Sequence, residues 1–228
     1  MLLLTMTLLI PSHQSLGADV YDPTPNDQET SVFAVGNCAV SAILIEYIGG
    51  HDGKPKGNWT ASMEEEIQLL VEESLDKFEE LSPNECLRFL PPEFYFRVPV
   101  TYDPMSSNRT DDNLWVSEAM SYLGFEGTDC YSQARDFVND LRHRSKSDWA
   151  VAVFFCDGTY SNGRFPFEDK PTAYAHLGGP YLAYAYPAQS RLMFIHELSL
   201  ASGPRMSTVV TQNVLDISIL PTTNRPSV

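Results

Sequence analysis

Basic residues are scarce in this chain. Lysine and arginine number 15 against 30 aspartates and glutamates, a formal net charge of −15 over 228 residues. Nucleic acids are held through their phosphates by a basic face, so nucleic-acid binding is not expected, nor is attachment to an anionic membrane surface. After the first ten residues, no segment reaches the roughly 18 consecutive apolar residues that a membrane span requires. Cys-x-x-Cys pairs are missing, which removes zinc knuckles and thioredoxin-type sites. Gly-x-Ser-x-Gly, the phosphate loop and the dinucleotide fingerprint are also missing. There is no internal repeat and no low-complexity tract. What is present is globular: 43% apolar and 11% aromatic residues, enough for a sizeable core in one domain or at most two small ones. The negative excess fits plain solubility, or a cationic partner.

The N-terminus, MLLLTMTLLI, is almost wholly apolar, and the chain turns polar and small from Pro11 to Gly17 before Ala18. This pattern without a basic start reads as a short export signal over residues 1–18, which would place the protein outside the cell. A buried first strand or a misassigned start codon fits the same letters. Residues 19–30 are polar and proline-bearing and read as a linker. Cys38, Cys86, Cys130 and Cys156 could form one or two disulfides in an exported chain, or serve as small buried apolar residues.

Hydrophobic periodicity orders the rest. Residues 31–48 are apolar and partly β-branched and read as a strand, or as two broken near Gly36-Asn37. Ser62 and Glu65 have the spacing of a capping box. Ile67, Leu70, Val71, Leu75, Phe78 and Leu81 then fall on one helical face, opposite a solvated acidic face of Glu66, Glu72, Glu73, Asp76 and Glu79. Pro83 closes that helix. Residues 86–102 are aromatic and extended, with Pro99 marking an edge strand. Asp111-Asp112-Asn113 supplies the cap of a helix over 114–123, stopped by Gly124, and a further helix covers 131–143. Residues 149–156 (WAVAVFFC) are apolar on both faces and read as the central strand. Two short strands flank Gly178-Gly179-Pro180 within 174–186, and a short helix covers 190–203. The fold class expected is α/β or α+β, a mixed central sheet with flanking helices.

The last helix carries His196 and Glu197. In the zinc-protease pattern His-Glu-x-x-His, two imidazoles one helical turn apart face one metal, and the glutamate is the base for the metal-bound water. Here Leu200 stands where the second histidine belongs. Gly203 matches the turn glycine of the extended pattern, and Met206 stands at the third ligand. One imidazole cannot hold zinc usefully. A His-Glu pair alone also fits an ordinary helix or core histidine.

Seven stretches carry a resemblance: "NWT" with the acidic helix after it, "VPVTYDP", "DDNLWVSEAMSYLGF", "FVNDLR", "SDWAVAVFFCD", "TAYAHLGGPYLAYAY" and "LMFIHE". With these, residues 31–203 resemble a zincin-like (metzincin-like) family of exported microbial metallopeptidases. The resemblance implies a zincin-like N-terminal subdomain with an incomplete C-terminal part. It implies His196 as a zinc ligand, Glu197 as general base, zinc as cofactor and a peptide or protein as substrate. With the second and third ligands missing, it implies a relative without peptidase activity. A non-catalytic secreted binding or surface module that keeps the groove, and an unrelated carboxylate-based hydrolase, are the alternatives.

Other residues were candidates for chemistry. His176 could be a second-site ligand or a buried strand histidine, while His51 and His143 read as loop and helix-end residues. Asp157-Gly158 and Asn162-Gly163 could offer oxygens to calcium or form plain turns. Cys156 is the one tempting thiol nucleophile, and Glu93, Asp157 and Glu168 are carboxylates available to a glycosidase. Asn58 and Asn108 begin glycosylation sequons. The family pattern continues with Asp-Glu-Tyr where this chain has Met206-Ser207-Thr208, and codons for residues 205–208 can spell Asp-Glu-Tyr one base out of frame. Out-of-frame coding after about residue 198 and ordinary divergence are both open, and the first makes residues 204–228 an atypical, poorly packing tail. The nucleotide sequence across codons 196–210 separates them: bases unable to spell Asp-Glu-Tyr in another frame leave divergence.

Overall fold

β4 (Trp149–Asp157) is buried at every one of its nine positions. Even-numbered residues from Ala150 to Cys156 pack into one apolar cluster, and odd-numbered residues from Trp149 to Phe155 into another. Such a strand needs a layer on each face. The computed structural model, which describes residues 36–49, 56–82, 87–106, 111–167, 171–187 and 190–202, supplies both. The leader, linker and tail expected at 1–18, 19–30 and 204–228 lie outside those residues, as do His51, Cys86, Asn108, Glu168, Gly203 and Met206.

The chain runs β1 (Gly36–Tyr47), α1 (Ala61–Leu81), β2 (Leu87–Phe89), β3 (Glu93–Val100), α2 (Asp112–Tyr122), α3 (Cys130–Ser145), β4, β5 (Ala173–Ala175), β6 (Tyr181–Tyr186) and α4 (Arg191–Ala201). The sheet is six-stranded and mixed, in the order β2-β1-β4-β6-β5, with β3 also on β1. All pairs are parallel except β5 with β6. α1 and α4 cover one face and α2 and α3 the other. Among the described residues no helix is long and apolar enough to cross a membrane.

The two margins of the sheet differ. β3 carries Arg97 at φ 56° and a register shift opposite Ile43–Ile45, a bulge, and Pro99 lacks an N–H. Bulges, prolines and charges on an outer strand block further pairing. The Arg97 side chain turns back to Glu64 at 2.6 Å. β5 is short and carries none of these devices.

Several expectations shift in detail. α1 is capped by Thr60, whose side chain accepts the Met63 N–H at 3.3 Å, not by the Ser62–Glu65 box. Thr60 is the extended residue and Ser62 already lies in the first turn. The acidic face is largely paired rather than merely solvated. Glu73 meets Arg191 at 3.1 Å, Glu79 meets Arg88 at 3.5 Å, and Glu66 accepts the Tyr186 hydroxyl at 3.0 Å. Asp111 holds the N-cap position of α2 without a side-chain cap bond. α3 begins with a capping box of Asp129 and Ser132.

Of the two readings of the cysteines, buried thiol holds among the described residues: Cys38, Cys130 and Cys156 are all free and buried. Burial pushes the Cys38 thiol from 9.0 up to about 12, with Asp148 and Glu79 adding to it. An unfolded chain sheds this proton near 9 and the folded one near 12. Between those values the unfolded state binds fewer protons, so stability present below pH 9 is lost as pH rises through the window. The three thiols should resist an aromatic disulfide reagent until the protein is unfolded. The urea midpoint should fall between pH 8 and pH 10, less steeply in Cys38→Ala.

Candidate functional site

In a parallel sheet the usual ligand crevice lies at the carboxyl ends of the strands, where strand order reverses. Here that point lies between β1 and β4, and the chain fills it with its own residues. Trp59 is fully buried, donates from Nε1 to the Ile45 carbonyl at 2.7 Å, and lies 5.6 Å from the Tyr186 ring. Met105 is buried against Gly158, whose backbone packs so closely that an added Cβ would stand 2.7 Å from the Tyr186 carbonyl oxygen. Asp157 is consumed there as well, since its carboxylate accepts the N–H groups of Asn58 and Thr159 at 3.0 and 3.1 Å. It anchors this turn.

α4 follows the β5–β6 pair directly. The Tyr184 hydroxyl accepts the Ser190 N–H and donates to the Ser190 carbonyl, both at 3.1 Å, and the Ser190 side chain accepts the Met193 N–H at 3.3 Å. These bonds satisfy the helix start. Phe194 stacks on Phe155 with ring centroids 6.2 Å apart, and Ile195, Leu198 and Ala201 are buried with it. The buried stripe fixes the helix rotation. His196 and Leu200, one turn apart, are both half-buried on the same outward side, below the more exposed Met193. At the far end the Leu200 carbonyl accepts the Gly178 N–H at 3.3 Å.

Glu197 is buried. Its carboxylate adds to the burial that pushes the Tyr184 phenol up, so it lies toward the sheet rather than beside the outward His196–Leu200 side. His196 and Glu197 are thus neighbours on an ordered helix. Among the described residues no group of three His, Cys, Asp or Glu side chains could hold a metal ion. The donor set around His196 therefore does not fit zinc, and Leu200 places a hydrocarbon where the second imidazole belongs.

The remaining candidates are placed elsewhere. Cys156 is fully buried and its thiol is pushed well up by burial, with Asp103 and other carboxylates adding, so it is no nucleophile. Glu93 is bound by Arg144 at 2.5 Å. Glu93 and Cys156 pair with Ser41 and Ile45 of β1, four residues apart. That is about 13 Å of strand, beyond the roughly 9.5 Å upper limit for two glycosidase carboxylates. His143 lies in the last turn of α3. Asn162 at φ 56° and Gly163 at φ 66° form a turn.

His176 belongs to a cluster that sequence reasoning did not find. Asp112, read as part of a cap, is buried and accepts the hydroxyls of Tyr174 at 2.8 Å and Tyr181 at 3.2 Å. His176 Nε2 lies 3.6 Å from the same carboxylate, buried and without a hydrogen bond. The His176 ring packs edge-on against Tyr131 and at a steep angle against Tyr181, each at 4.8 Å. Burial first, and Asp112 second, push the Tyr174 and Tyr181 phenols up, so both stay protonated donors. This cluster lies on the α2–α3 face, opposite α4, so His176 cannot complete a site with His196.

Comparison with protein-family models, curated proteins and solved structures finds no match.

Asp112 has its measurable role in stability. Asp112→Ala strands two buried hydroxyl donors, at about 1–3 kcal/mol each, so urea unfolding should show a loss of about 2–5 kcal/mol. Asp112→Asn, which keeps one acceptor oxygen, should lose less.

Proposed function

We propose that the protein is a zincin-like metallopeptidase relative whose zinc site is incomplete, and that it recognises extended peptide without hydrolysing it. The observation that carries this reading is α4 itself. It follows the one antiparallel strand pair, lies under that margin of the sheet, and presents His196 with Leu200 in the second-ligand position.

The margin is suited to a strand-like ligand. The Ala185 N–H donates to the Thr172 carbonyl at 2.8 Å. In that pairing phase Ala173 and Ala175 turn their backbone N–H and C=O groups away from β6; Ala173 is buried and Ala175 half-buried, so the accessible groups are those of Ala175. No described strand pairs with that outer side. An added peptide strand takes its affinity from such groups and its specificity from the side chains around them. The described residues supply no donor set for zinc, so no hydrolytic step is assigned to the chain. Export through residues 1–18 belongs to the same proposal and is supported by the sequence pattern alone.

Zinc content measured on dialysed protein tests the ancestry. The wild type should hold well under one zinc per chain. Leu200→His with Met206→Asp should bind zinc measurably, and His196→Ala in that background should abolish it. A double variant that binds none removes the zinc-helix reading. Separately, an unstructured casein peptide should bind the wild type and His196→Ala equally and should lose affinity for Ala175→Pro. That substitution deletes an outward N–H without breaking a ladder bond.

A further inference from the structure

A shallow groove lies between α1 and the turn joining β2 to β3. Its apolar walls are Leu75, Phe89, Pro91 and Pro92, its rim is Glu72 and Asp76, and its free volume is about 220 Å³. That is below the roughly 300 Å³ at which pockets for whole small molecules begin, and it is the size of one long side chain. The walls are set in advance. Phe89 packs edge-on against the fully buried Phe78, with ring centroids 5.5 Å apart, and its N–H donates to the Glu79 carboxylate. Pro91 and Pro92 have fixed φ, and the opposite wall is the middle of a 21-residue helix.

The charge on the rim is selective. Glu64, Glu66, Glu73, Glu79 and Glu80 of the same helix each have a partner within the chain. Among the described residues Glu72 and Asp76 have none. They stand one turn apart, where like charges repel and cost an isolated helix about 0.2–0.5 kcal/mol. Of two grooves along this helix, the one at Leu69 and Leu70 has its carboxylates engaged, Glu66 by Tyr186 and Glu73 by Arg191, whereas the one at Leu75 leaves both of its carboxylates uncompensated among the described residues.

We infer that this groove docks an arginine side chain from a segment of a partner protein. The aliphatic stem would lie on Leu75 and the prolines, and the guanidinium would stack on Phe89 and donate to Glu72 and Asp76. A planar fork reaches two carboxylates about 5–6 Å apart at Cβ and stacks on a ring, which an ammonium does less well. The inference does not depend on the zinc-helix reading, because the groove is built from α1 and the β2–β3 turn alone.

The test is an NMR titration of the full chain with the capped pentapeptide acetyl-Ala-Leu-Arg-Leu-Ala-amide. Citrulline and lysine versions and free spermidine are run beside it. Saturable shifts confined to the amides around Leu75, Phe89 and Leu90 are expected, weaker with lysine and absent with citrulline. Glu72→Gln with Asp76→Asn should weaken binding about five-fold or more. The charge-matched control Glu65→Gln with Asp136→Asn, both exposed and outside the groove, should change it less than about two-fold. Shifts spread along α1, equal losses in both variants, equal binding of spermidine, or no saturation by about 10 mM peptide would each overturn the assignment.

Discussion

A strand that is apolar on both faces cannot settle until two separate layers have closed over it, and β4 imposes that condition here. Its even positions call for α2 and α3, its odd positions for α1 and α4, and β1 and β6 repeat the demand on either side. Phe154 is held edge-on by Trp115 and Tyr181 on one face, while Phe155 lies between Tyr184 and Phe194 on the other. Truncating a fully buried aromatic of this kind to alanine costs about 3–5 kcal/mol. The position of α4 therefore comes out of core packing, and any chemistry on it inherits its placement from Phe194 and Ile195.

The polar groups have been distributed around that packing rather than through it. On the α1–α4 face a single phenol, Tyr184, secures the start of the candidate helix, and the carbonyl of Leu200 is secured by the turn between β5 and β6. On the α2–α3 face Asp112 gathers Tyr174 and Tyr181 from the same two strands. β5 and β6 are thus gripped from both sides, by a helix start beneath and a buried carboxylate above. The antiparallel margin is consequently far better fixed than its three-residue length would suggest.

Much of this was legible from the letters, and the parts that were not have a common cause. The doubly apolar run at 149–156, the stripe from Ile67 to Phe78 and the strands around Gly178-Gly179 are local patterns, and local pattern was enough to place them. Pro99 marked an outer strand correctly. The Asp112 cluster was hidden because its members are 62 and 69 residues apart in sequence, and an Asp in an Asp-Asp-Asn run reads equally well as a cap. The pairing of Glu66, Glu73 and Glu79 was hidden in the same way, since their partners come from other elements. For the cysteines the letters left disulfide and buried thiol open, because burial of Cys38, Cys130 and Cys156 depends on contacts with distant elements. For His196 and Glu197 the sequence told where the pair would be, on a short helix after the last strands, but not that Glu197 would turn toward the sheet.

The unequal margins of the sheet limit how this molecule could ever associate through its backbone. Bulge, proline and charge close one side, while the other ends in a short strand beside α4. Among the described strands, two copies joined β5 to β5 would leave only closed sides facing outward, so growth through these edges would stop at a two-fold pair.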